Sequence, residues 1–171
     1  MKDVDIWFQD ETRIGQQGSI TRVWHYKGQR PDVVKQQQFL STYIYGAICP
    51  KTGQSAGLVL PYANSECMKL HLQEISKNIA QGRHAVLVVD GALWHQEQYN
   101  LPNVTLLKLP PYSPELSPIE QVWQYIKQHW LSNHSFDSYD DIVDSACRAW
   151  LKFSEQLDVV KSITARSWAL F

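Results

Sequence analysis

Apolar and polar residues alternate from Asp3 to Gln9, with Val4, Ile6 and Phe8 on one parity, which predicts a strand with one face toward a core. Asp10 falls on that same parity. It is open to two readings, a partly buried functional carboxylate or a residue where the strand has already turned into its loop. Residues 12–38 are polar, with Gly15, Gly18, Gly28 and Pro31, and read as an insertion carrying one short strand over Ile20–Tyr26. Phe39–Cys49 and Gln54–Leu60 flank the turn Pro50-Lys51-Thr52-Gly53 as a hairpin. From Asn64, a plausible N-cap, Met68, Leu72, Ile75 and Ile79 recur at helical spacing until Gly82; His71 on this helix reads as structural.

Ala85–Val89 is an unbroken apolar run, as expected of a strand buried on both faces, and it ends at Asp90. A short helical turn at Trp94-His95 and a strand over Val104–Leu107 follow. Ser117 then stands where an N-cap belongs and Pro118 at the first helical position, ahead of Ile119, Val122, Trp123, Ile126 and Trp130 at helical spacing. A last helix with Ile142, Val143, Ala146 and Trp150 on one side is capped by Asp137 or Ser138, and Ser154–Phe171 holds a further short helix. Three antiparallel strands followed by alternating helix and parallel strand give an α/β architecture, a mixed five-stranded sheet with helices on both faces. The first and fourth strands are expected to be neighbours, with Asp10 near Asp90.

With 171 residues, 44% hydrophobic and 19% charged, the chain is expected to form one domain with a sizeable core. The core is expected over about 3–131, with a C-terminal helical extension over about 137–171. A net charge of −1 is unlike a stand-alone nucleic-acid binder, so DNA contact has to use a local patch or another module. Arg13, Arg22, Lys27, Arg30 and Lys35 with Trp24 and Tyr26 suit such a patch or a solvated loop. Cys49, Cys67 and Cys147 lie far apart without a C-x-x-C pair, which indicates neither a zinc site nor a disulfide framework. No apolar run approaches a membrane span, and a soluble cytoplasmic protein is expected.

Three acids stand out. Asp90 ends a buried strand, where ligands and chemistry collect in open α/β sheets; the competing reading is a loop aspartate capping the turn at Gly91-Ala92. Glu120 lies in the first turn of its helix, off the buried face. Ser117-x-x-Glu120 has the form of a capping box, in which the glutamate reaches back to the N-cap N–H at the positive end of the helix dipole.

The segments Phe8-Gln9-Asp10-Glu11-Thr12-Arg13, Val88-Val89-Asp90-Gly91-Ala92 with Trp94-His95, and Leu109–Glu120 with Trp123 and Lys127 resemble the three signature blocks of mariner-like bacterial insertion-sequence transposases, members of the DDE superfamily with a ribonuclease-H-like fold. The likeness spans roughly residues 5–130. It implies a catalytic triad of Asp10, Asp90 and Glu120, with Asp10 rather than Glu11 as the first acid. Ser117 stands where that family usually has asparagine, and the 30 positions between Asp90 and Glu120 are fewer than its usual spacing, which suggests a trimmed loop near Gln98–Asn103.

All-oxygen ligation by three carboxylates suits Mg²⁺ or Mn²⁺ rather than zinc, and two such ions serve in-line displacement at phosphorus. The resemblance therefore implies metal-dependent cleavage of DNA at transposon ends and transfer of the 3′ ends to target DNA, with TA dinucleotides preferred. Asp10, Asp90 and Glu120 are the expected metal ligands, with Asp90 bridging both ions. His95 is expected at the scissile phosphate or behind Asp90, or else as a surface or core histidine; Lys127 and Arg13 are candidate DNA contacts. Trp94, Trp123 and Trp130 read as core or partner contacts. The implied partners are transposon inverted repeats and target DNA, and a second copy of the chain in a synaptic complex. The family's N-terminal helix-turn-helix modules are not in this chain, which points to a separately encoded DNA-binding subunit or to a fragment. The rival readings are a catalytically retired remnant acting in dimerisation or regulation, and another ribonuclease-H-like nuclease.

Overall fold

A computed structural model of the chain describes residues 3–166 other than 19, 23, 25, 29–35, 37, 92–98, 100 and 111–115. Strands β1 (Asp3–Gly15), β2 (Ser41–Ile48) and β3 (Ser55–Leu60) precede helix α1 (Ser65–Asn78). Strands β4 (Arg83–Val89) and β5 (Val104–Lys108) lead to α2 (Ile119–Ile126), which runs into a π-helical turn over Lys127–Leu131. Helices α3 (Tyr139–Ser154) and α4 (Leu157–Thr164) complete the chain. The sheet order is β3-β2-β1-β4-β5, with β1 antiparallel to β2, β2 antiparallel to β3, and β4 parallel to both β1 and β5. This is the mixed five-stranded α/β sheet expected of a ribonuclease-H-like domain, with β1 at its centre.

The two faces of the sheet carry separate cores. Trp7, Tyr45, Ala47 and Leu87 pack against Met68, Leu72 and Ile75 of α1. Phe8, Ile44, Ile48 and Val88 pack against Ile119, Val122, Trp123 and Ile126 of α2 and against Ile142, Ala146, Trp150 and Phe153 of α3. The helix caps divide between these layers. Asn64 accepts from the Cys67 N–H at the start of α1, and Ser138, one of the two candidates, accepts from the Asp141 N–H at the start of α3. His71 is fully buried with Nε2 3.3 Å from the Ala56 carbonyl oxygen, the structural role expected of it.

Register is what positions the acids. Asp3 pairs with Arg83 and Phe8 with Val88 along the parallel β1/β4 ladder. Arg83 donates through Nε and Nη2 to both carboxylate oxygens of the buried Asp5, and through Nη1 to Asp3, so a forked guanidinium pins this register near the amino ends of the strands. A slip of one residue would turn every β1 side chain to the other face.

Two expectations need correction. β1 continues to Gly15, so Asp10 lies within the strand rather than at its end, and the connection begins only after Gly15. Its inward parity persists beyond Asp10 as buried Thr12 and Ile14, while the outward Arg13 is exposed. The described residues of Ile20–Tyr26 form no strand; Ile20, Trp24 and Tyr26 are exposed, and no ladder is available to pair them. The helical turn at Trp94-His95 lies outside the described residues.

A row of residues without side chains crosses the sheet beside Asp10. Asp10 pairs with Gly46, and Gly46 with Gly57. A Cβ on Gly46 would come within 2.6 Å of the Trp123 ring and 2.7 Å of the Trp150 ring, and one on Gly57 would run into the Trp150 indole more closely still. The two glycines let these indoles, 6.0 Å apart between centroids, lie down on the sheet. Replacing Gly57 with Ala forces a rigid ring outward, and the expected loss is about 1–3 kcal/mol, the range for overpacking a filled core. Urea denaturation checks this; wild-type stability in Gly57→Ala would contradict the close packing.

Candidate active site

Asp10 sits mid-strand on the α2 side of the sheet and is only partly exposed. The Trp123 Nε1–H donates to its Oδ2 at 2.8 Å, from one turn into α2. Burial pushes the Asp10 carboxyl from its usual 3.8 up to about 7. The Trp123 hydrogen bond opposes that shift, the Glu11 and Glu120 carboxylates add to it, and a backbone hydrogen bond from Glu11 opposes it in turn. A carboxylate placed so requires positive charge beside it, as a proton or a cation.

Asp90 follows β4 directly and is exposed. The β1/β4 ladder ends at the pair Phe8 and Val88, with Asp10 two residues further along β1 and Asp90 two residues further along the chain, just past the end of β4. The Leu109 N–H donates to the Val89 carbonyl at 2.8 Å and closes the neighbouring strand end.

Glu120 is exposed in the first turn of α2, close enough to Asp10 and Lys127 to act on both charges. The expected capping box does not form. The helix N-cap is Pro118, no side chain caps it, and Ser117 contributes only its carbonyl, 3.3 Å from the Glu120 N–H. With Pro118 already in helical φ/ψ, the first turn closes on backbone oxygens and the glutamate side chain stays out in front. Among the described residues its carboxylate makes no hydrogen bond or ion pair.

Lys127 opens the π-helical turn, two turns beyond Glu120. Burial lowers its pKa, and the Glu120 and Asp10 carboxylates raise it in opposition. Together with Arg13, Gln17, Ser132 and Phe136 it lines a cavity of ≈ 130 Å³ beside β1, so the structure brings Lys127 and Arg13 to one place. The Ser132 Oγ, on the same wall, is buried without a hydrogen-bond partner among the described residues. His95 lies outside the described residues, as do residues 111–115 of the third block.

The arrangement thus couples Asp10 with Glu120 electrostatically and puts Asp10 and Asp90 each two residues beyond the last β1/β4 pair. Among the described residues no three His, Cys, Asp or Glu side chains stand close enough to share a metal ion. The donor chemistry that is present is all carboxylate, which suits a hard divalent cation. Sequence reasoning assigned Trp123 to core or partner contacts and missed its hydrogen bond to Asp10, which depends on a cross-strand register that no local pattern carries.

The family model for the DDE superfamily endonuclease domain matches residues 5–143. The chain belongs to the DDE superfamily endonucleases. It is 50% identical over 129 residues to the uncharacterized protein y4pE/y4sA of Sinorhizobium fredii, across 74% of this chain and 96% of that protein. It is 23% identical over 139 residues to the insertion element IS630 uncharacterized 39 kDa protein of Shigella sonnei, across 78% of this chain and 40% of that one. In fold this DDE-superfamily chain resembles the Mos1 mariner paired end complex with Mn, at a TM-score of 0.60 and 15% identity, over 95% of its own length and 56% of the Mos1 chain. A pre-cleavage Mos1 transpososome gives the same TM-score, identity and coverage. The chain therefore spans about half of the Mos1 chain and less than half of the IS630 protein, and the mariner-like insertion-sequence resemblance read from its three blocks holds in both sequence and fold. Among the described residues no helix is long and apolar enough to cross a membrane.

The raised Asp10 pKa has a thermodynamic consequence for the DDE fold. The folded state holds this proton more tightly than the unfolded chain, so stability falls as pH rises from about 4 through about 7, and the full cost is present above that. Asp10→Asn removes the charge, so at pH 8 without divalent ions it is expected to be the more stable protein, by on the order of a few kcal/mol. The gap should close toward pH 4. Melting temperatures of both proteins across this range check it, and parallel pH profiles would contradict the buried charge.

Proposed function

We propose that this chain is the catalytic domain of a mariner-like transposase, which cleaves DNA at transposon ends and transfers the freed 3′ ends into target DNA using divalent metal ions. The observation that carries the reading is the parallel β1/β4 ladder, which ends two residues before both Asp10 and Asp90, together with the electrostatic action on Asp10 of a Glu120 that takes no part in capping its helix.

Asp10, Asp90 and Glu120 are the residues that hold Mg²⁺ or Mn²⁺. The donor set fits: it is all oxygen, and Asp10 is so placed that its charge needs a neutralising cation. Mutual repulsion resists gathering the three carboxylates, and bound cations reverse it. Held by these residues, divalent ions would supply the Lewis acidity that an in-line displacement at phosphorus by water or a 3′-hydroxyl needs. The chain's own contribution is placement. Two of the carboxylates belong to adjacent strands and the third to the first turn of α2, rigid elements from which a bound cation would draw them together.

Lys127 and Arg13 meet backbone phosphates at the cavity beside this site, where partial burial strengthens the electrostatic pull of Lys127. With a net charge of −1, this chain by itself binds DNA weakly and with little sequence preference, and DNA-end recognition comes from a further module. A second copy of the chain completes the synaptic complex.

Strand cleavage of a cognate transposon end tests the reading. Activity should require Mg²⁺ or Mn²⁺ and fall at least about a hundredfold in Asp90→Asn, the loss of several kcal/mol of transition-state stabilisation. Unchanged activity in that variant would overturn the triad. Lys127→Met should weaken DNA binding about equally for all sequences and lower the slope of log affinity against log salt by roughly one. A sequence-selective loss, or an unaltered slope, would remove Lys127 from the phosphate contacts.

A further inference from the structure

We infer that Trp123 is a positioning residue for metal ligation: its indole, seated over Gly46 beside the Trp150 ring, holds the Asp10 carboxylate in one orientation through the Nε1–H to Oδ2 hydrogen bond, so that the aspartate meets a divalent cation already aimed. This rests on the reading of Asp10 as a metal ligand and goes beyond it, since the residue that does the aiming is not one of the triad.

Three observations support it. The hydrogen bond is short, 2.8 Å, and joins the centre of the sheet to α2 across 113 positions of sequence. The ring that donates is itself held. Trp123 is 3% exposed, with Trp150 at 6.0 Å between centroids and a tilt of 43° beside it, and a Cβ at Gly46 would occupy its place. Trp123 also shares a helix with Glu120, three residues earlier, so the element that presents the third carboxylate is the one that orients the first. An aspartate side chain has two rotatable bonds, and an ion that had to select among its orientations would bind less tightly by the population of the competent one. Hydrogen bonds to ligating carboxylates set this population, and their removal commonly costs 10–100-fold in metal affinity.

A packing role alone would tolerate a phenyl ring in place of the indole, whereas the aiming role needs the N–H. Trp123→Phe keeps an aromatic ring over Gly46 and deletes the donor. Mn²⁺ binding to the free protein, followed by electron paramagnetic resonance, is expected to weaken about tenfold in Trp123→Phe, with a melting temperature in the absence of metal close to that of the wild type. Trp123→Phe with wild-type Mn²⁺ affinity would overturn the inference while leaving the metal site standing, provided Asp10→Asn abolishes binding. No Mn²⁺ binding by the wild type, or full binding by Asp10→Asn, would overturn both the inference and the reading beneath it. A second measurement needs no variant. The Trp123 indole N–H resonance, identified in the wild type by its proximity to Trp150, should shift on saturation with Mg²⁺; a resonance that does not move would overturn the aiming role even if Trp123→Phe fails to fold.

Discussion

Asp10, Gly46 and Gly57 lie side by side across three strands, and the absence of two side chains there allows two indoles to rest directly on the sheet. Close packing of this kind is stiff, because a filled interior yields only by displacing whole rings. Trp123 occupies the slot next to Asp10 and spends its one polar atom on that carboxylate. The contact therefore joins three levels of the structure. It fixes the distance of α2 from the sheet, satisfies a buried indole N–H, and places a helix that carries Glu120 in its first turn against the strand that carries Asp10. Helix, sheet and site are positioned by one set of atoms.

The same contact explains the electrostatic character of the site. The α2 and α3 layers that bury Phe8, Ile44 and Val88 continue over Asp10, and loss of water makes its charge costly even though an indole and a backbone N–H both donate to it. Glu120 adds like charge from outside. Its own carboxylate stays clear of the helix terminus because Pro118 leads into the helix without a side-chain cap. On the far edge of the β1/β4 ladder, Arg83 answers Asp5 and Asp3 with a guanidinium, so the acids there are neutralised within the protein. At the Asp10 end the nearby cation, Lys127, is itself held partly out of water and faces the cavity it shares with Arg13. One end of the ladder thus has its acids paired with a guanidinium, while at the other burial makes the charge of Asp10 costly.

Much of this was legible in the residues. The unbroken Ala85–Val89 run gave a strand buried on both faces and ending at Asp90, and alternation gave the face of β1 on which Asp10 lies. Where reading stopped short, the causes are physical. β1 seemed to end near Gln9 because Glu11 and Arg13, pointing away from the α2 side, interrupt it with charge; Thr12 and Ile14 kept the inward period and are buried. Ser117 and Glu120 have the spacing of a capping box, but that spacing does not determine whether the backbone before the helix is extended, as a capping serine requires, or already helical at Pro118. Gly46 and Gly57 carry no pattern by themselves. Their meaning depends on a cross-strand register and on two tryptophans brought from α2 and α3, information that resides in the tertiary fold alone.

The proposed function turns on whether a bound divalent cation draws Asp10, Asp90 and Glu120 into one site. Anomalous diffraction from crystals soaked in Mn²⁺ addresses it most directly. The account requires manganese ligated by oxygens of Asp10 and Asp90, with Glu120 completing the shell and the Trp123 indole still donating to Asp10. Manganese bound elsewhere, or none at saturating concentration with the three carboxylates pointing apart, would contradict it.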